Sequence, residues 1–305
     1  MSNFQRLTTR QMALFAAKGY LRFDGVVPES LNRAFLDEIG HSDEVTDIVA
    51  HYAKIMDSSA IPIVPAGTPL ADAYPAGSAL ARILALPEVA GAVESLVGSR
   101  CRVDHHFLHI TFPPSLTGRP MAAQHTHQDS TIDPRSAFDI QIMYFPQAVT
   151  REMGGTRFVP GTHLRIVSEA AIARYQNIAG QEHVVCPAGT LLVLHHGIWH
   201  GGGANRADRP RYMFKIRLTP TQRQCRLWDT SDLDEDLPQR PIFWLGEARD
   251  PEHLHTILTE PEPWHEADTG RLEYLNRIRF WRYLTGNESF DADYWVTRVE
   301  NDYPA

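Results

Sequence analysis

Cysteine is scarce in this chain. Cys101, Cys186 and Cys225 are scattered over 305 residues without a Cys-x-x-Cys pair. An odd, dispersed set argues against a disulfide framework or a zinc ribbon and fits a reducing cytoplasm. Long apolar runs are lacking too. None approaches the ~20 residues needed to span a bilayer, and the stretch 1–6 has no apolar signal-peptide core. Positive charge is in deficit, with 29 Lys and Arg against 37 Asp and Glu, a formal net charge of −8. That balance argues against a general nucleic-acid binder and against an anionic-membrane binder. No repeat or compositional break divides the sequence, and its 43% hydrophobic content is enough for a sizeable core. A single domain over 1–305 is expected.

Local signals place helices at the start. Thr8 or Thr9 caps a helix that Gly19 stops, Pro28-Glu29-Ser30 opens a second running toward Ile39, and 44–56 and 87–98 read as two more. Helical spacing of Leu272, Leu275, Ile278, Trp281 and Leu284 predicts a C-terminal helix. Between them the texture is β. Val103–Thr111, Asp139–Phe145 and Arg211–Leu218 alternate between two faces. Their apolar faces are expected to pack on helices, and their polar faces to line an interior that holds metal and substrate. The Pro/Gly-rich stretches 57–78 and Pro113–Pro120 are expected to cover the mouth of that interior, and 226–265 reads as an irregular acidic excursion.

Histidine is plentiful, at 15 residues, and one pattern among them carries chemistry. His127-x-Asp129 puts an imidazole and a carboxylate on the same side of an extended backbone. Adding one further His gives a two-His-one-carboxylate set. Such a set leaves three positions open on an octahedral metal, as non-haem Fe(II) oxygenases require. The downstream candidates are His195, His196 and His200, and His125 shares the face of His127. Arg211 follows His200 across the Gly- and Pro-containing stretch 201–210, which reads as a turn. A guanidinium at that place can grip a carboxylate with two parallel hydrogen bonds; Arg209 is the alternative clamp. Lys215 and Arg217 share the predicted face of Arg211. They are placed either to meet an anion or at an exposed strand end. His105 and His109 read as structural histidines, with a place in the pocket as the alternative.

Taken in order, several pieces resemble the phytanoyl-CoA dioxygenase family over roughly residues 5–220. They are His127-x-Asp129, then Gly154-Gly155-Thr156-Arg157-Phe158-Val159-Pro160-Gly161-Thr162-His163, then Ala188-Gly189-Thr190-Leu191-Leu192-Val193-Leu194 leading to Trp199-His200, and finally Asn205 and Arg211. The resemblance implies a mainly β fold with flanking α: a double-stranded β-helix (jelly-roll, cupin-like) core with N- and C-terminal helices. It implies Fe(II) held by His127, Asp129 and His200, with 2-oxoglutarate and O2 as co-substrates. Arg211 would bind the C5 carboxylate of the 2-oxoglutarate, and Gln141 and Thr156 are further candidates to bind it. The implied reaction hydroxylates or otherwise oxidises a small organic molecule, such as a secondary-metabolite intermediate, and releases succinate and CO2. Related halogenases have a small residue where Asp129 stands, so oxidation rather than halogenation is expected. Two alternatives remain: a cupin-like metal enzyme that does not use 2-oxoglutarate, and a non-catalytic β-helix protein that binds a small molecule.

Overall fold

The computed structural model describes residues 4–130, 133, 138–165, 167–172, 177–233, 251–266 and 270–290. In chain order the first elements are α1 (Thr9–Lys18), β1 (Tyr20–Phe23), α2 (Glu29–Glu38), α3 (Ile48–Ser58), β2 (Thr68–Pro69), α4 (Ala79–Leu84) and α5 (Pro87–Val97). There follow β3 (Arg102–Thr111), α6 (Pro114–Thr117), β4 (Ile140–Phe145), β5 (Thr156–Phe158), α7 (Glu169–Ile172), β6 (Glu182–His183) and β7 (Thr190–His195). The last are β8 (His200–Gly202), β9 (Arg211–Thr219), α8 (Leu254–Thr259) and α9 (Gly270–Thr285). Among the described residues, no helix is long and apolar enough to cross a membrane.

The ends of α1 lie where the sequence puts them. Thr8 and Gln11 form a reciprocal capping box, each side chain accepting from the other's backbone N–H. Gly19 closes the helix at φ 76°, in the left-handed region. A Cβ at Gly19 would also stand 2.4 Å from the His163 ring.

Two antiparallel sheets form the centre: a six-stranded one in the order β1-β7-β4-β9-β3-β2 and a three-stranded one in the order β6-β5-β8. The outward face of the large sheet, with Ile140, Ile142, Tyr144, Phe214 and Ile216, buries against Phe15, Phe35, Leu80 and Leu96 of the helices in one extended core. Its other face contributes Met143, Phe145, Leu192, Leu194 and Met213 to a second cluster with Phe158, Val184 and Ile198 around the small sheet. The helical packing of the apolar faces is therefore as expected. The face expected to be polar is mixed, since its apolar members join this second cluster.

The expected lid at 57–78 faces the other way. Thr68–Pro69 pairs with β3 at Val103 and Arg102, and Tyr74 packs on the helical side, its hydroxyl 2.7 Å from His106 Nδ1. Burial of apolar and aromatic side chains on that side holds the segment there. The 226–265 excursion is described only in part, and its described portion includes α8. Beyond it, α9 packs on α1 and α8. Arg277, nearly fully buried, donates to the carbonyls of Leu258 and Glu260 and lies 3.6 Å from Glu262, which in turn pairs with Lys18 at 2.6 Å.

Where β7 ends, buried His163, His195 and His196 stack in a row, with ring centroids 5.1 and 4.8 Å apart. Burial pushes His163 down to about 3 and His195 well below its ordinary value. Between the unfolded value near 6.5 and those depressed values the unfolded chain binds protons that the native one does not. Stability is therefore expected to fall as pH drops below about 6.5, by about 1.4 kcal/mol per pH unit for each such histidine. The Tm measured across this range should show that slope. His163→Gln keeps a donor for the Ala16 carbonyl but cannot protonate, and should make the slope shallower; an unchanged slope would refute the account.

Candidate active site

The segment 124–129 runs antiparallel to β8. Gln124 N donates to Gly202 O at 2.9 Å, and His127 and His200 exchange backbone hydrogen bonds at 2.9 and 2.8 Å. This pairing brings together residues that are 73 positions apart in sequence (His127 and His200). The donor atoms of His127, Asp129 and His200 all lie within 4.8 Å of one another.

Each imidazole is aimed by its own strand. His127 Nδ1–H donates to His125 O at 2.9 Å, and His200 Nδ1–H donates to Ile198 O at 3.0 Å. A carbonyl only accepts, so both Nδ1 atoms carry the proton and both Nε2 atoms keep a lone pair. Both Nε2 atoms stand 3.7 Å from the Asp129 carboxylate. Fixing the tautomer through the second ring nitrogen is how metal-ligating histidines are oriented. Burial pushes His200 down to about 4, so it is neutral at pH 7, as a ligand must be. Burial alone would raise the Asp129 carboxyl. His200, Lys215 and His127 outweigh it and hold Asp129 well below the usual carboxylate range. The donor set therefore fits a divalent metal.

The alternative histidines are elsewhere. His195 Nδ1 accepts from Gly197 N at 2.9 Å, and His196 lies against the backbone of Asp139. Both face the buried histidine row. The structure does not bring His125 into the donor cluster.

A cavity of about 210 Å³ adjoins the cluster, lined by His127 and His200 together with Met143, Thr156, Arg211 and Met213. Arg211 is buried. Its Nη1 donates to Met153 O at 3.1 Å and its Nη2 to Thr111 Oγ1 at 2.9 Å. Burial lowers it to about 10, so it stays charged at neutral pH. Arg209, the alternative clamp, is exposed. Thr156 lines the cavity; Gln141 does not. It is fully buried on the same face of β4 below Met143, with neither amide atom hydrogen-bonded.

Three further residues line the wall: His109 and Lys215, for each of which the sequence left two readings open, and Gln124. His109 faces the cavity, and burial with Lys215 and Arg211 nearby pushes it down to about 4. Lys215 Nζ is 2.7 Å from Asp129 Oδ2. Gln124 receives Gly202 N on its side-chain oxygen at 2.8 Å and Arg157 Nη2 on its carbonyl. The β3–β9 register, Thr111 opposite Arg211 and His109 opposite Met213, is the signal that would have found His109. Of the two stretches expected to cover the mouth, the second is adjacent to it, since Met121 and Ala122 follow Pro120 into the lining.

Gly154 supports the far end of the cavity. At φ 63° it is in the left-handed region, and a Cβ there would stand 2.0 Å from Ala204 O. It follows Met153, whose carbonyl holds Arg211. Gly154→Ala is expected to cost about 1–3 kcal/mol from the backbone conformation alone, lowering Tm, and to raise the KM for 2-oxoglutarate by shifting that carbonyl. A variant unchanged in both would show the turn to be passive.

Comparison with known proteins gives the same picture. A profile of the phytanoyl-CoA dioxygenase family (PhyH) matches residues 15–213. An uncharacterized protein of Mycobacterium tuberculosis is 30% identical over 143 residues, 45% of this chain and 50% of that protein, and one from Mycobacterium bovis matches equally. The chain thus spans about half the length of the curated relatives it matches. Among solved structures, HygX from Streptomyces hygroscopicus with nickel and 2-oxoglutarate bound is similar at 16% identity, over 70% of this chain and 88% of that one, with a TM-score of 0.48. The nickel complex of the non-heme monooxygenase ThoJ is similar at 21% identity, over 68% and 75%, with a TM-score of 0.46. The matched residues include the His-x-Asp pair, the second histidine strand and Arg211, so the chain belongs to the phytanoyl-CoA dioxygenase family, whose oxygenase-type enzymes depend on Fe(II), 2-oxoglutarate and O2.

Proposed function

We propose that the chain folds as one double-stranded β-helix (jelly-roll) domain that oxidises a C–H bond of a small organic substrate, most simply by hydroxylation. The observation that carries this reading is a three-donor cluster, two of whose members, His127 and His200, line a cavity that a buried arginine also lines. His127 and His200 would hold ferrous iron through Nε2, and Asp129 through a carboxylate oxygen. When bound, the metal and 2-oxoglutarate supply the O2 chemistry: one oxygen atom goes to the substrate, the other to succinate, and CO2 leaves.

The chain's residues bind, orient and exclude water. Arg211 offers two N–H groups to the C5 carboxylate and, with Thr156 beside it, fixes which way the co-substrate lies. Its present partners, Met153 O and Thr111 Oγ1, are neutral, so no described carboxylate competes for it. Met143, Met213 and Met121 make up much of the apolar wall that keeps water from the reacting centre.

The test is a calorimetric titration in which 2-oxoglutarate is added to Mn(II)-loaded protein, together with succinate release in Fe(II) and ascorbate. Saturable binding and slow, substrate-independent succinate formation are expected. Metal binding without 2-oxoglutarate binding would return the cupin-like alternative, and neither would leave a non-catalytic binding protein.

A further inference from the structure

Two basic side chains line the cavity, Arg211 and Lys215, and no Asp or Glu is among the described lining residues. The two cations lie apart. Four residues of β9 separate them, about 13 Å of strand, so they address different groups. Arg211 occupies the closed end. Lys215 is buried beside the metal donors, its only described acceptor being Asp129 Oδ2 at 2.7 Å. An ammonium has three donors, so two remain. Arg217, next on the same face, is already neutralised by Asp139 at 2.6 and 2.9 Å.

His109 stands diagonally across from Lys215 on the paired strand, since His109 is opposite Met213 and Phe107 opposite Lys215. Its Nε2 is buried without a hydrogen-bond partner. A buried polar atom left unsatisfied calls for a ligand.

Resting on the oxygenase reading above, the charges of the loaded cavity do not balance. Iron(II), Arg211 and Lys215 bring four positive charges, and Asp129 with the 2-oxoglutarate dianion brings three negative ones, leaving one positive charge in a buried space. Burying a charge without a counter-charge is costly. We propose that the substrate is a monocarboxylate whose anion pairs with Lys215 and accepts a second hydrogen bond from the Nε2–H tautomer of His109. A neutral substrate leaves the surplus positive charge of the loaded cavity uncompensated, and a dianionic phosphate ester overshoots.

The test uses Mn(II)-saturated, 2-oxoglutarate-saturated protein, which binds without turning over. Acetate, butyrate, benzoate and phenylacetate are each titrated beside the corresponding primary amide, in wild type, K215Q and K215R. The Kd for 2-oxoglutarate is measured first. The expected result is at least one acid bound tenfold or more tighter than its amide. That preference, compared at saturating Mn(II) and 2-oxoglutarate in each variant, should fall to within about twofold in K215Q and be partly kept in K215R. The proposal is overturned if no acid is preferred, if the preference survives in K215Q, or if K215Q keeps Mn(II) binding but loses 2-oxoglutarate binding, which would assign Lys215 to the co-substrate. Absence of any 2-oxoglutarate binding in wild type would remove the oxygenase reading itself, and this proposal with it.

Discussion

Replacing His200 with alanine is expected to weaken metal binding by more than about 100-fold and to abolish 2-oxoglutarate turnover. The magnitude follows from the small number of donors. Disturbing residues that merely hydrogen-bond to a ligand typically costs about 10- to 100-fold in metal affinity, and removing one of three ligands should exceed that. The other two donors remain preorganised, since His127 is aimed by His125 O and Asp129 by Lys215. The loss should therefore appear as affinity rather than unfolding. Co(II) or Mn(II) titration with circular dichroism on the same samples separates the two. His195→Ala and His196→Ala act on the buried row and should lower Tm while the folded protein keeps its metal. A His200→Ala protein that retained tight metal binding would overturn the ligand assignment and return attention to His195 and His196.

Arg211→Leu should raise both Kd and KM for the 2-oxoglutarate co-substrate by about tenfold to several hundredfold. A charge-assisted hydrogen bond contributes about 1.5–3 kcal/mol, and truncating one partner of a buried charged pair costs about 2–5 kcal/mol, each 1.4 kcal/mol being a factor of about ten. Leucine also ends the desolvation that lowers Arg211 in the free protein, so a matching fall in Tm is not expected. Metal affinity should stay near wild type, because Arg211 touches none of the three donors. Arg209→Leu, at an exposed turn position, should leave 2-oxoglutarate binding unchanged. The reverse pattern would move the clamp to Arg209.

The site was legible in sequence where local rules act alone. Alternation fixed which residues of β4 and β9 share a face, and the observed register keeps those faces. The choice of Thr8 or Thr9 as N-cap marked the start of α1 within one residue. His127 and Asp129 at i and i+2 carried their own geometry. Choosing His200 over His195 and His196 needed the order of motifs, because all three are buried and lie within six positions of one another. What was missed depends on contacts that sequence distance hides. His109 faces the cavity because β3 pairs with β9, more than 100 residues later, and no periodicity reports that partner. The 57–78 stretch has the composition of a lid, but a lid is defined by what the segment packs against. Tyr74 against Phe214 decided that. Gln141 shares the right face yet lies below Met143, a difference of depth that alternation cannot express.

The C-terminal helix changes how far this enzyme can be trimmed. The family profile ends at residue 213, and a cut soon after it looks harmless on paper. Yet Phe280 of α9 meets Phe138 at 5.5 Å, His163 at 6.0 Å and His195 at 6.5 Å, and Trp281 and Trp228 lie in the same core as Phe15. Phe138 leads into Asp139, which holds Arg217, and the histidine row ends at His196, whose carbonyl receives Asp129 N at 3.2 Å. Asp129 is thus only a few contacts from the last described helix. A chain shortened to its recognisable portion would strip the back wall from the strand that carries the candidate donors, so an assay of such a fragment would measure the damage of the cut.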